Sequence, residues 1–154
     1  MKEVFKQSQD FLNQVFASVR LDLRAAADET DGGCVLNIDG ADAPLLRSEG
    51  GELLDALEHL VNQSFARGLE PGERLVCDVE DFRLVRETEL RAMARHAADR
   101  VRASGVPFTF GPMNASERRV IHVALADDES LFTESVGEGS DRRLKVSLRK
   151  TDKN

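Results

Sequence analysis

The chain has 154 residues, which is room for one ordinary domain or for two small ones. Its charged fraction of 32% is high, but 41% of the residues are apolar, which excludes disorder of the whole chain. The formal net charge of −7 argues against a general polyanion binder. Because no signal peptide and no stretch of roughly 18 apolar residues is present, we expect a soluble, cytoplasmic protein without membrane insertion.

The charge is unevenly distributed along the chain. Residues 1–99 carry 11 Lys/Arg and 20 Asp/Glu, whereas residues 100–154 carry 10 and 8. Any contact with nucleic acid should therefore concentrate in the last third. We expect it to be weak, because affinity rises with the number of phosphates that the protein neutralises.

The first half of the chain predicts the order helix, strand, strand, short helix, helix, strand. The predicted bounds are 2–19, 21–27, 34–38, 41–46, 52–66 and 74–79. In the second long helix, the spacing places Leu53, Leu57, Leu60 and Val61 inward.

The second half begins with a long helix over 83–104, with Leu90, Met93, Ala97 and Val101 along one stripe. Gly105 ends it, and Asn114 is the predicted N-cap of the next helix. The remaining predicted elements are a short strand over 108–110, that helix over 115–126, and strands over 131–136 and 142–148. A polar, frayed tail is expected from residue 150 onward.

Catalytic and metal-binding motifs are missing from the sequence. It has no G-x-S-x-G, P-loop or H-E-x-x-H pattern, so we predict a protein that is not an enzyme and needs no cofactor. Cys34 and Cys77 lie in strand-like apolar runs without a CxxC neighbour, which predicts two reduced core thiols and no metal. A disulfide between them stays open at the level of sequence.

The segment Met113–Leu125 carries the most informative pattern. Arg118 and His122 lie four residues apart on a predicted helix, so they face the same way, and Arg119 adds a further cation. A guanidinium and an imidazole on one face can grip a phosphate and stack on a base.

A second cationic group, Arg142, Arg143 and Lys145, follows two glycines that allow close backbone approach. Neighbouring strand residues point to opposite faces, so Arg143 and Lys145 share one face and Arg142 takes the other. Only one of these sets can join the surface of the preceding helix.

The Arg-x-x-x-His segment resembles the R-three-H domain of single-stranded nucleic-acid-binding proteins. Upstream, the segment Leu53–Asn62 resembles the helix that follows the nucleotide-gripping loop of a KH domain. From about Asp10 to Leu148 the chain resembles the bacterial Jag family, also called KhpB, which joins these two domains. The resemblance implies an α+β fold, a type II KH-like unit followed by an R-three-H unit.

The resemblance also implies boundaries and a function. We expect a KH-like domain with its N-terminal helix over 1–82, an R-three-H domain with the connecting helix over 83–149, and a tail over 150–154. The family's usual N-terminal domain is expected to be absent. The implied function is binding of single-stranded RNA or DNA, in which Arg118, Arg119, His122 and Arg143 hold phosphates and a stacked base. The implied partner is a second copy or a small KH protein.

The KH loop departs from the G-x-x-G pattern of the family. The aligned segment is Ser48-Glu49-Gly50-Gly51, in which Ser48 replaces the first glycine and Glu49 repels phosphate, partly offset by Arg47. We expect this unit to bind RNA weakly and to serve as a scaffold or dimer surface, although backbone donors at the helix start leave binding open. The alternative function for the whole chain is a protein-interaction or dimerisation module with vestigial nucleic-acid binding.

Overall fold

The computed structural model describes residues 1–150, so the expected frayed tail lies outside the described residues except for Lys150. The chain is mixed helix and strand, which confirms the predicted α+β class. It forms two compact units, Met1–Arg83 and Leu84–Asn154. Each unit has its own hydrophobic core and its own three-stranded sheet.

The first unit has the predicted order of elements. They are α1 (Glu3–Ser18), β1 (Arg24–Thr30), β2 (Gly33–Asp39), α2 (Ala43–Arg47), α3 (Glu52–Phe65) and β3 (Arg74–Val79). The sheet order is β1-β2-β3, with β1 antiparallel and β3 parallel to the central strand. The first strand starts three residues later than predicted, because the tight hairpin pairs Thr30 with Gly33.

The predicted inward face of α3 is partly wrong. Leu57 and Val61 are buried as expected, but Leu53 and Leu60 are 42% and 41% exposed, and Leu54 is fully buried instead. The buried face is rotated about the axis of α3 relative to the predicted one. Two polar side chains of the helix determine this rotation, because Glu58 and Asn62 hydrogen-bond to the backbone of β3. Both interpretations have helical spacing, so periodicity alone does not choose between them.

The outer edge of β1 is closed by side chains of α1. The Asn13 amide accepts from Ala25 N at 2.8 Å and donates to Ala25 O at 3.0 Å, as a paired strand would. The amide oxygen of Gln9 accepts from Ala27 N at 2.8 Å. This edge therefore has fewer free backbone groups for pairing with another strand.

The second unit packs two helices against one face of an antiparallel sheet of order β4-β6-β5. Its elements are α4 (Phe82–Ser104, whose first two residues belong to the first unit), β4 (Phe108–Thr109), α5 (Ala115–Leu125), β5 (Leu131–Val136) and β6 (Arg143–Leu148). On α4, Leu90, Ala97 and Val101 are buried as predicted, but Met93 is 37% exposed and Ala94 replaces it in the core.

Both cysteines are free and buried, which confirms the predicted core thiols. Burial raises the pKa of the Cys34 thiol to about 11 and that of the Cys77 thiol to about 12. Among residues 1–150, no helix is long and apolar enough to cross a membrane.

Candidate nucleic-acid interface

Helix α5 is fixed by a cap and by a partly buried ion pair. The side chain of Asn114, the predicted cap, accepts a hydrogen bond from Glu117 N at 2.9 Å. Glu117 lies on the buried stripe with Ile121 and Leu125, and its carboxylate accepts from Arg86 Nε at 2.7 Å. Sequence reasoning missed this buried acid, although its i, i+4, i+8 spacing with the two apolar residues was a signal for it.

Arg118 and His122 occupy the flank of α5 beside the buried stripe. The Arg118 guanidinium is half-buried and donates from Nη1 to Met113 O at 2.8 Å, while its buried Nε has no hydrogen-bond partner within the described residues. His122 is exposed, and its Nδ1 lies 2.5 Å from the hydroxyl of Thr133 on β5. Arg118 and His122 are thus each held in a fixed orientation, by groups that the sequence pattern did not indicate.

Two further cations lie near this pair. Arg119 is exposed and rotated roughly 100° from Arg118 around the helix, toward solvent. Arg142 is also exposed, and its carbonyl accepts from Met113 N at 3.0 Å, so its backbone lies beside the residue that Arg118 binds. We call Arg118, Arg119, His122 and Arg142 the helix patch.

Arg143 and Lys145 lie on the other face of the sheet. In β6, Leu144 and Val146 are buried toward the helices, so the alternating residues Arg143 and Lys145 point to the outer face. The structure therefore brings Arg142 toward Arg118, and it separates Arg143 and Lys145 from the helix patch.

The cations of the helix patch are available for an anionic ligand. Three other arginines of the second unit are neutralised, because Arg86, Arg91 and Arg102 each pair with carboxylates. Within the described residues, none of the helix-patch arginines forms an ion pair. Residues 1–150 hold no group of three His, Cys, Asp or Glu side chains suited to a metal ion.

The loop at the predicted KH site is acidic and has a left-handed backbone. Glu49, Gly50 and Gly51 have φ angles of 51°, 67° and 82°, a conformation that costs a glutamate more than a glycine. Gly51 leaves no room for a side chain, because a Cβ would lie 2.7 Å from the Phe82 ring. A hydrogen bond with Glu49, together with its charge, raises the pKa of Glu52, so two acids lie close together at the loop.

The other polar and charged side chains at this loop do not favour phosphate binding either. Arg47 forms an ion pair with Glu80, which offsets the positive charge that the sequence assigned to the loop. Ser48, at the position of the first family glycine, donates its hydroxyl to Leu45 O at 2.9 Å. The loop therefore presents a net negative surface.

The outer edge of β3, beside α3, is occupied by side chains. The Asn62 amide accepts from Leu75 N at 3.0 Å and donates to Leu75 O at 2.6 Å. Glu58 accepts from Cys77 N at 2.9 Å, and Arg83 Nε donates to Cys77 O at 2.7 Å. Burial alone would lower the pKa of Arg83, but hydrogen bonding and charge from nearby carboxylates raise it, so the guanidinium stays charged.

Comparison with known proteins matches the second unit to a domain family and most of the chain to bacterial proteins. A family model described as the R-three-H domain matches residues 88–148. A Clostridium symbiosum protein named RNA-binding protein KhpB is 31% identical over 146 residues, which cover 94% of this chain and 66% of that protein. The protein of the same name from Bacillus subtilis is 34% identical over 113 residues, covering 72% and 54%.

A third protein of that name, from Lactiplantibacillus plantarum, is 31% identical over 115 residues, covering 75% of this chain and 36% of the relative. The chain thus spans from about a third to about two thirds of the length of these relatives.

Proposed function

Because the chain belongs to the Jag/KhpB family and carries an R-three-H domain, we propose that it binds RNA as a single strand through the helix patch. The observation that carries the proposal is the fixed pair on α5: Arg118 held by Met113 O, and His122 held by Thr133. A pre-oriented pair loses less conformational entropy on binding than free side chains would.

The hydrogen bond between Nδ1 and the Thr133 hydroxyl leaves Nε2 as the ring nitrogen of His122 that can meet a ligand. When the Thr133 hydroxyl donates to Nδ1, the neutral imidazole carries its proton on Nε2 and offers that N–H to a phosphate oxygen. The imidazole plane remains available for stacking on a base.

The arginines supply the charge. In Arg118, Nη1 is used by Met113 O and Nε is buried, so Nη2 is the guanidinium nitrogen left for ligand contact. Arg119 and Arg142 are fully available and act as the main phosphate contacts. Arg142 takes the role that the sequence suggested for Arg143, because alternation along β6 turns Arg143 to the other face.

The KH-like unit contributes little to RNA affinity in this proposal. Its loop carries Glu49 and Glu52, and the adjoining Arg47 is paired with Glu80. The edge of β3 has its backbone groups bonded to side chains of its own unit, so bases find few free partners there. The unit therefore acts as a scaffold.

Fluorescence anisotropy of labelled single-stranded RNA and DNA tests the helix patch. We expect Arg118→Ala/His122→Ala to weaken binding at low salt by about 50-fold or more, through the loss of a charged hydrogen bond and a stacking contact. Arg91→Ala, a change on the exposed and ion-paired part of α4, should leave it within about twofold. Binding by the double variant that is as tight as that of the wild type would contradict the proposed surface.

A charge reversal tests the loop separately. We expect Glu49→Lys to raise RNA affinity no more than Asp10→Lys, a reversal at an exposed position of α1. A larger gain from Glu49→Lys would show that the loop is an RNA site closed only by its charge.

Protein binding is the second candidate function, and three exposed leucines favour it. Leu45 on α2 and Leu53 and Leu60 on α3 are 47%, 42% and 41% exposed, within the acidic part of the chain. Sedimentation velocity across protein concentration tests self-association, with Leu53→Ser/Leu60→Ser as the variant. Concentration-dependent dimers lost in that variant, together with no RNA binding by the wild type, would favour this function over the first.

A further inference from the structure

The outer face of the second sheet carries a second site, distinct from the helix patch. A cavity of about 650 Å³ opens there, lined by residues of β5, of β6 and of the segment before β4. Those that matter for the argument are Pro107, Phe132, Lys145, Ser147, Arg149 and Lys150. None of them contributes to the hydrophobic core on the helix side of the sheet.

Phe132 gives this site an aromatic surface. Its side chain is 45% exposed, and it stands opposite Ser147, a small residue that leaves the ring uncovered on one side. The pairing of Phe108 with Val146, continued by one residue, places Pro107 on the other side of Ser147 from Phe132. Two strand spacings then separate Pro107 from Phe132, or about 9.6 Å. A flat ring thus finds room above Ser147 against Phe132.

The charge of the site favours an anion. Lys145, Arg149 and Lys150 line the cavity, against one carboxylate, Glu134. Within the described residues none of the three cations forms an ion pair, although the Arg149 guanidinium donates one long hydrogen bond, 3.4 Å, to Leu131 O. The site thus carries a net positive charge, opposite in sign to the net charge of −7 of the whole chain.

We propose that this outer sheet site binds a second stretch of single-stranded RNA, with a base stacked on Phe132 and phosphates held by Lys145, Arg149 and Lys150. The proposal rests on the proposed RNA binding and extends it. Stacked bases and cationic backbone contacts are the usual combination in proteins that hold single strands without sequence preference.

The position of β5 connects the two sites. It is an edge strand, and its successive residues Phe132 and Thr133 point to opposite faces. Thr133 holds His122, and Phe132 faces the outer site. One RNA strand that leaves His122 reaches Phe132 by passing round this open edge, so the two sites serve one ligand.

The absence of tryptophan from the chain provides a direct test. In the F132W variant the new indole is the only one in the protein, so its fluorescence reports stacking at this position alone. We expect titration with single-stranded RNA to quench it. A matched pair then separates stacking from simple apolar contact: Phe132→Tyr should retain affinity, whereas Phe132→Leu should weaken it by roughly 5- to 100-fold.

The outcomes distinguish this inference from the proposed function. If anisotropy shows RNA bound by F132W while its fluorescence stays unchanged, and if Phe132→Leu binds as wild type, the outer sheet site is refuted and the helix patch stands. If Phe132→Leu weakens binding and Arg118→Ala/His122→Ala does not, the outer site stands and the helix patch fails. No RNA binding by the wild-type protein would overturn both.

Discussion

Removing the Asn62 side chain should destabilise the first unit more than an ordinary surface change. Asn62→Ala removes two hydrogen bonds to Leu75 and a third, at 2.8 Å, to Glu58 O. Each is worth about 1 kcal/mol net, and a buried backbone group left without a partner costs about 1–3 kcal/mol. Because Leu75 is fully buried, we expect a total loss of about 2–4 kcal/mol in the free energy of unfolding.

Asn37→Ala is the matched control. Its amide makes one exposed hydrogen bond, to the Asp28 carboxylate, so its removal should change the unfolding free energy by about 0.5 kcal/mol or less. The chain lacks Trp and Tyr, so urea denaturation is followed by far-UV circular dichroism. Amide hydrogen exchange adds a local probe, and we expect the Leu75 amide to lose more protection in Asn62→Ala than the global change accounts for.

Equal losses for Asn62→Ala and Asn37→Ala would refute the idea that side chains of α3 act as a substitute strand along β3. The idea would also be refuted if the Leu75 amide lost only as much protection from exchange as the global change in the free energy of unfolding accounts for. A confirmed effect would mean that the edge of β3 is occupied in the free protein, which supports the assignment of RNA binding to the second unit.

Three further substitutions or treatments test other parts of the structure. Thr133→Val removes the hydroxyl that orients the signature histidine, so it should weaken RNA binding by roughly 5- to 10-fold, the loss of one hydrogen bond, while Thr133→Ser should bind as wild type. Glu117→Gln leaves Arg86 with only its exposed partner, so we expect a loss of about 2–3 kcal/mol by urea denaturation, and Glu117→Gln should cost much less in an Arg86→Gln background. Burial raises the pKa of Cys34 and Cys77 to about 11 and about 12, so the folded thiols hold their protons more tightly than unfolded ones. The contribution of these thiols to the free energy of unfolding is complete below about pH 8.5 and falls as the pH rises toward 11–12. Cys34→Ala/Cys77→Ala should lessen this decline with pH.

The sequence predicted the elements well and the rotation of their helices less well. Periodicity finds a helix over α3, but the stripe containing Leu53 and Leu60 and the stripe containing Leu54 and Val61 fit it almost equally. The choice depends on hydrogen bonds from Asn62 to β3, a contact between segments that a local pattern does not contain.

In the candidate site, too, local spacing predicted some features, whereas others depend on contacts between segments distant in the sequence. Four-residue spacing was enough to predict that Arg118 and His122 share a helix face. The groups that hold them, Met113 O and the Thr133 hydroxyl, depend on a loop conformation and on the pairing of α5 with β5. Alternation separates Arg142 from Arg143, but the face of each depends on which strand residues are buried, here Leu144 and Val146. The hydrogen bond from Met113 N to Arg142 O then places the backbone of Arg142 beside the residue that Arg118 binds.

The number of sites that RNA engages should be visible in the salt dependence of binding. For single strands, the slope of log affinity against log salt is about −0.7 for each phosphate neutralised. The three arginines of the helix patch alone give a slope of about −2, so affinity falls roughly 20-fold between about 50 and 200 mM salt. The three cations of the outer sheet site double the slope, and the same change then costs roughly 300-fold. Lys145→Gln should reduce the slope by about 0.7 if RNA passes round β5 and leave it unchanged if the helix patch binds alone.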